Sequence, residues 1–171
     1  MSVPAPKRRE SPYDVSDNAD AIFEDIVKFS RKAPKDYFKP IYEPLINLSN
    51  EVSILISKGN KIHIDQNTTL EEFMFRRMCY VSARSSLEAL SKRVDLIVKK
   101  PFCIRYYDNS SKRTKGITEN ELTVLACKID KEDNLLAGAI KSDTKRILNF
   151  NPSWEDKIKN NIIVYKPWVI Y

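Results

Sequence analysis

The sequence predicts an all-α fold: an antiparallel up-down four-helix bundle with a disordered N-terminal tail and an extended C-terminal tail. Three observations carry this expectation. Only three Gly occur in 171 residues, whereas sandwiches and barrels turn often and use Gly to do so. Four segments repeat apolar residues at helical spacing. Two of those segments open on Thr followed three residues later by Glu (Thr69 with Glu72, Thr118 with Glu121), the pattern of a capping box. A hydrophobic content of 42% is enough to fill the core such a bundle needs.

The chain divides into a flexible tail over 1–17, a bundle over 18–148 and an apolar extension over 149–171. The tail holds three Pro and little apolar content. Helix one is expected over 18–32, with Ile22, Phe23, Ile26 and Val27 as its stripe, Asp17 or Asn18 as its cap and Pro34 as its stop. Helix two is expected over 41–58. Pro40 suits its first turn, Pro44 offers a later start, and Gly59 supplies a C-terminal stop. Leu45, Leu48, Val52, Leu55 and Ile56 form its apolar face.

Helix three is expected over 69–98. Phe73, Tyr80, Leu87 and Val94 recur every seven residues, the seam that bundle packing uses. Pro101 ends it. Helix four is expected over 118–148, with Leu122, Leu125, Ile129, Leu136, Ile140 and Ile147 in its stripe. Gly138 in its middle is either a close helix contact or a tolerated defect. No sheet is expected between 18 and 148. Beyond Pro152, Ile162–Tyr165 and Trp168–Tyr171 read as extended and apolar, so this extension is expected to dock.

Composition narrows the function classes. No apolar run reaches the roughly 18–20 residues that span a bilayer, and 1–9 lacks the apolar segment of a signal peptide. Cys79, Cys103 and Cys127 stand alone, which fits reduced thiols in a cytoplasm and neither a disulfide framework nor zinc. The single His63 cannot supply a di-iron bundle, and no nucleophile elbow, phosphate loop or dinucleotide-binding glycine pattern occurs. The expectation is a binding protein with no catalytic residues, no metal site and no cofactor. Glu132 and Asp133 interrupt the stripe of helix four. Either one is partly buried, with Arg76 or Arg77 as partner, or the turn faces solvent.

The candidate site is basic. Residues 99–116 carry Lys99, Lys100, Arg105, Lys112, Arg113 and Lys115 against Asp108 alone, almost the whole net charge of +6. Tyr106 lies among them. Arg77, Arg84 and Lys92 on helix three are expected to extend this patch. Cations interleaved with aromatics hold phosphates and stack unpaired bases, so nucleic acid is the expected ligand. The bland alternative is a solvated loop.

Short motifs along 18–148 add a resemblance. Lys32-Ala33-Pro34-Lys35-Asp36-Tyr37-Phe38 is similar to a Phe-Pro-Lys connection after a first helix. Leu87-Glu88-Ala89-Leu90 is similar to a Leu-Glu-Glu-Leu pattern. Leu135-Leu136-Ala137-Gly138-Ala139-Ile140-Lys141-Ser142 is similar to a small-residue segment ending in Lys-Ser. Together they resemble the four-helix-bundle family of proteins encoded in ribosomal RNA intervening sequences and of the accessory variability determinant of diversity-generating retroelements. The resemblance implies a homo-oligomer, a pentamer, that binds a reverse transcriptase and its template RNA or cDNA. The alternative is a protein-interaction module, encoded by a phage or mobile element, without nucleic-acid binding.

Overall fold

The computed structural model describes residues 12–99, 105–108 and 112–160. The chain is mostly helical: α1 Pro12–Lys32, α2 Glu43–Asn60, α3 Leu70–Val98, α4 Glu119–Phe150 and a short α5 Glu155–Lys159. α1 packs on α2 and α4, and α3 packs on α2 and α4. Their apolar stripes meet in one core that includes Ile22, Ile26, Tyr42, Val52, Leu87 and Leu136. Among the described residues no helix is long and apolar enough to cross a membrane.

Both expected capping boxes form. Thr69 accepts from the Glu72 amide and the Glu72 carboxylate accepts from Thr69; Thr118 and Glu121 repeat the arrangement. Each box satisfies two orphan donors of the first turn, which is why α3 and α4 start where the sequence predicts.

α1 corrects the tail boundary. It begins at Pro12, so residues 12–17 are helical and not tail. Val15 and Ala19 extend the buried stripe below Ile22, and Asp14 lies in the first turn, favourable to the helix dipole. Asp17 and Asn18 are therefore interior residues, not caps. The expected tail over 1–11 lies outside the described residues, as do the apolar segments 162–165 and 168–171.

α2 is entered through a 3-10 turn over Lys35–Tyr37 and one π-helical turn over Phe38–Tyr42, with Pro44 in its own first turn. Gly59 is not a left-handed stop. It is buried in the last turn of α2 against α3, where a Cβ would lie 2.7 Å from Tyr80 Cε1 and 3.4 Å from Cys79 Cβ. The Tyr80 ring has no freedom to retreat, since its hydroxyl donates to Asn60 Oδ1 at 2.6 Å and Arg76 lies over its face. Gly59→Ala is expected to lower stability by about 1–3 kcal/mol through overpacking, against the ~1 kcal/mol that helix propensity favours Ala. A urea titration checks this, and a raised midpoint would refute the close contact. Gly138, by contrast, is only partly buried.

Two further corrections concern the ends. The expectation of no sheet fails between α3 and α4, where β1 Arg105–Asp108 pairs antiparallel with β2 Arg113–Gly116. The 149–171 extension is not extended throughout. α4 continues to Phe150, and a 3-10 turn over Pro152–Trp154 leads into α5. Ile158 and Trp154 pack with Ile64, Phe73 and Ile147 in a second small core, so residues 150–160 dock by closing one end of the molecule.

Candidate nucleic-acid interface

The order of cross-helix pairs locates the ends of the molecule. Lys32 of α1 pairs with Glu121 of α4, Asp25 with Lys128, and Asn18 with Glu132. On the other side Arg84 of α3 pairs with Asp133 and Arg76 with Asp143. The start of α4 therefore lies beside the end of α1, and its last turns lie beside the start of α3.

The hairpin stands at the first of these ends. Its register sets Arg105 opposite Gly116, Tyr106 opposite Lys115, Tyr107 opposite Thr114 and Asp108 opposite Arg113. Lys112 enters β2 with φ of 49°, and Gly116 leaves it with φ of 131°, a conformation open to Gly and strained for other residues. Ile117 then drops into the core at 1% exposure, and Thr118 starts α4. β2 also meets α1. Fixed at its exit in this way, the hairpin is part of the fold.

Of the predicted site residues, Lys99, Lys112 and Lys115 are exposed at this end. Arg105, Tyr106 and Arg113 are placed by their backbone in the two strands. Lys100 lies outside the described residues. Asp108 stands opposite Arg113 in the strand register.

The helix-three cations are arranged differently from the expectation. Arg84 is held by Asp133 in a two-pronged pair, Nε to Oδ1 at 2.7 Å and an Nη to Oδ2 at 2.8 Å. That bond raises the Arg84 pKa and lowers that of Asp133. Lys92 pairs with Glu88 one turn back at 2.6 Å, and the Glu88 pKa is lowered by it. Arg77 is half-buried. A groove of about 700 Å3 between α3 and α4 has Leu87 and Ile129 in its wall, with Glu88, Asp130 and Asp133 around it and Arg84 as its one cation. Acids this close oppose a phosphate, so the patch does not run continuously from the hairpin along α3.

The second basic element, missed in the sequence, is the α1–α2 connection. Arg31, Lys35 and Lys39 are exposed there, with Phe38 beside them. The signal was the charge of Arg31, Lys32, Lys35 and Lys39 against Asp36. That two loops far apart in sequence lie at the same end follows only once the helix order is known.

The acids of α4 also resolve. Glu132 is 0% exposed, and its partner is Asn18, whose Nδ2 donates to Oε2 at 2.8 Å and to the Lys128 carbonyl at 2.9 Å. Its Oε1 has no hydrogen-bond partner. Burial pushes the Glu132 pKa up to about 7, with the Asn18 bond opposing. Arg76, expected near Glu132 or Asp133, instead bonds Asp143 Oδ2 at 2.6 Å.

His63 is exposed in the α2–α3 connection. Burial raises the pKa of the Cys79 thiol and pushes that of Tyr80 to about 12, so both stay protonated at neutral pH. Among the described residues no group of three or more His, Cys, Asp or Glu is placed to hold a metal ion. Comparison with known proteins adds no family: no family model, no curated protein and no solved structure matches this chain.

Proposed function

We propose that this chain is a non-enzymatic, nucleic-acid-binding accessory protein. In this reading its four long helices form an antiparallel up-down bundle whose basic hairpin grips the phosphate backbone. One observation carries it: nearly all the net charge falls in 99–116, and the described strands of that segment, Arg105–Asp108 and Arg113–Gly116, form a hairpin anchored at one end of the molecule. The opposed order of the cross-helix pairs supports the antiparallel bundle. The helix-three cations Arg84 and Lys92 have structural roles in this reading, and Arg77 is peripheral. The motif resemblance extends the proposal to a cytoplasmic homo-oligomer that serves a reverse transcriptase and binds its template RNA or cDNA.

Phosphate contact releases condensed counterions, so affinity falls with salt in proportion to the phosphates neutralised. Changing Lys112, Arg113 and Lys115 together to Ala is expected to weaken binding similarly for all sequences. The log–log salt slope should shrink by roughly two to three units. Fluorescence-anisotropy titrations of RNA and DNA at several salt concentrations measure both. A triple variant that binds as the parent does would leave the hairpin merely solvated. A parent that fails to bind even at low salt would favour the second reading, a protein-interaction module, for which the acid-rimmed α3–α4 groove is the specific observation.

A further inference from the structure

We infer that the α1–α2 connection and the hairpin form one composite site for single-stranded nucleic acid, in which Phe38 is the platform that stacks an unpaired base. The inference rests on the nucleic-acid reading of the hairpin and adds a second element, a stacking residue and a strand preference.

The connection is built to turn Phe38 outward. Tyr37 and Ile41 pack on the core and Tyr42 is buried in it, so the 3-10 and π turns are pinned from the inside. A π turn carries one residue more than an α-helical turn and re-aims the side chains around it. Here Lys35, Phe38 and Lys39 are all exposed, Phe38 at 41%. At 41% exposure, part of the Phe38 ring is open to a ligand.

Position supplies the second argument. The Lys32–Glu121 pair ties the end of α1 to the first turn of α4, just after the hairpin, and β2 meets α1. The connection and the hairpin thus flank the same end. Arg31, Lys35 and Lys39 from one loop join Lys99 and Lys112 from the other. The acids at this end are Asp36 and Glu43 by the connection, Asp95 near the end of α3, Asp108 in the hairpin, and Glu119 and Glu121 in the first turn of α4, the last paired to Lys32. Cations that follow a phosphate backbone, with an exposed aromatic between them, are the elements of a single-strand site. Stacking there needs a base whose face is free, which a duplex does not offer. The α3–α4 groove, with three acids and one Arg, does not compete for the same ligand.

The test compares an unstructured oligo(U) with an RNA duplex of equal length by fluorescence anisotropy, using the full chain. Phe38→Ala is expected to weaken oligo(U) binding by about tenfold or more and duplex binding by less than about twofold, while Phe38→Trp retains oligo(U) affinity. Lys35→Ala with Lys39→Ala should reduce the salt slope by about one to two units for both ligands. Phe38 is exposed, so circular dichroism and the urea midpoint of Phe38→Ala should match the parent. If Phe38→Ala binds oligo(U) as the parent does while the hairpin triple variant loses binding, the composite site is wrong and the hairpin reading stands. If the duplex loses as much as oligo(U), Phe38 does not stack. If Phe38→Ala changes the solution mass by light scattering, Phe38 belongs to a protein interface and the inference falls. If the parent binds neither ligand, both readings fall.

Discussion

Arg76→Ala is expected to destabilise the protein by about 3–5 kcal/mol, the usual cost of breaking a buried ion pair from one side. The guanidinium is nearly buried and joins three elements. Nε bonds Asp143 Oδ2 of α4 at 2.6 Å, and Nη1 bonds the carbonyls of Gly59 at 3.0 Å and Ile62 at 2.8 Å. Its carbon lies 4.8 Å from the centroid of the Tyr80 ring. Truncation strands the Asp143 carboxylate at low exposure, removes a donor from the Ile62 carbonyl and leaves a void beside Tyr80. The Gly59 carbonyl keeps the Ile62 amide as donor, so the cost concentrates on Asp143. The double variant Arg76→Met, Asp143→Leu should therefore recover most of the loss, because no charge is left without a partner. Urea midpoints of the two variants measure this. Equal losses in the single and double variants would show that the carbonyl contacts, not the charge pair, carry the energy.

This arginine also marks the limit of what the sequence shows. The existence of α3 and α4 and their starts are legible, because Thr69 with Glu72 and Thr118 with Glu121 act within one turn and need no tertiary context. The start of α1 is legible in part. Pro12 suits a first helical turn, Asp14 follows in that turn, and Val15, Ala19, Ile22 and Ile26 continue a single stripe. The three Pro of 1–17 point the other way, toward a tail. The hairpin left a signal too: Tyr106 and Tyr107 favour a strand, and Asn109, Ser110 and Ser111 favour a turn. The cross-helix pairs were not legible. Whether Arg76 meets Glu132 or Asp143 depends on the stagger and rotation of α3 against α4, and neither is encoded locally. The same stagger decides that Arg84 is bound by Asp133, which withdraws a cation from the candidate site.

Glu132→Gln is expected to make the protein more stable by about 3 kcal/mol at pH 8 and to leave it nearly unchanged at pH 4.5. The wild-type carboxyl is 0% exposed. Asn18 satisfies Oε2, and Oε1 has no partner, which suits the protonated acid and penalises the carboxylate. Its pKa is pushed up to about 7 by burial first, with Asp20 adding to the rise and the Asn18 bond and Lys131 opposing it. In the unfolded chain the group returns to an ordinary value near 4.5. Between those two values the folded state holds a proton that the unfolded state has lost. Stability therefore falls as pH rises from about 4.5 to about 7 and is flat above, a loss of about 3 kcal/mol. Glu121 and Asp133 have the opposite sign. Their pKa values are lowered by Lys32 and Arg84, so their contribution is lost only as pH falls below the ordinary carboxylate range. The Gln amide is neutral throughout, and its oxygen can accept from Asn18 as the carboxyl does. Urea unfolding at intervals from pH 4.5 to pH 8 should show a declining midpoint for the wild type and a flat one for Glu132→Gln. Parallel profiles would mean that water or a backbone shift reaches the carboxylate and keeps its pKa near 4.5. The seam at stake joins Asn18 of α1 to α4, so the part of the fold that loosens above neutral pH is the N-terminal half of α1. Hydrogen exchange of the α1 amides near Asn18 should accelerate over the same pH interval beyond its intrinsic pH dependence, and should lose that excess in Glu132→Gln.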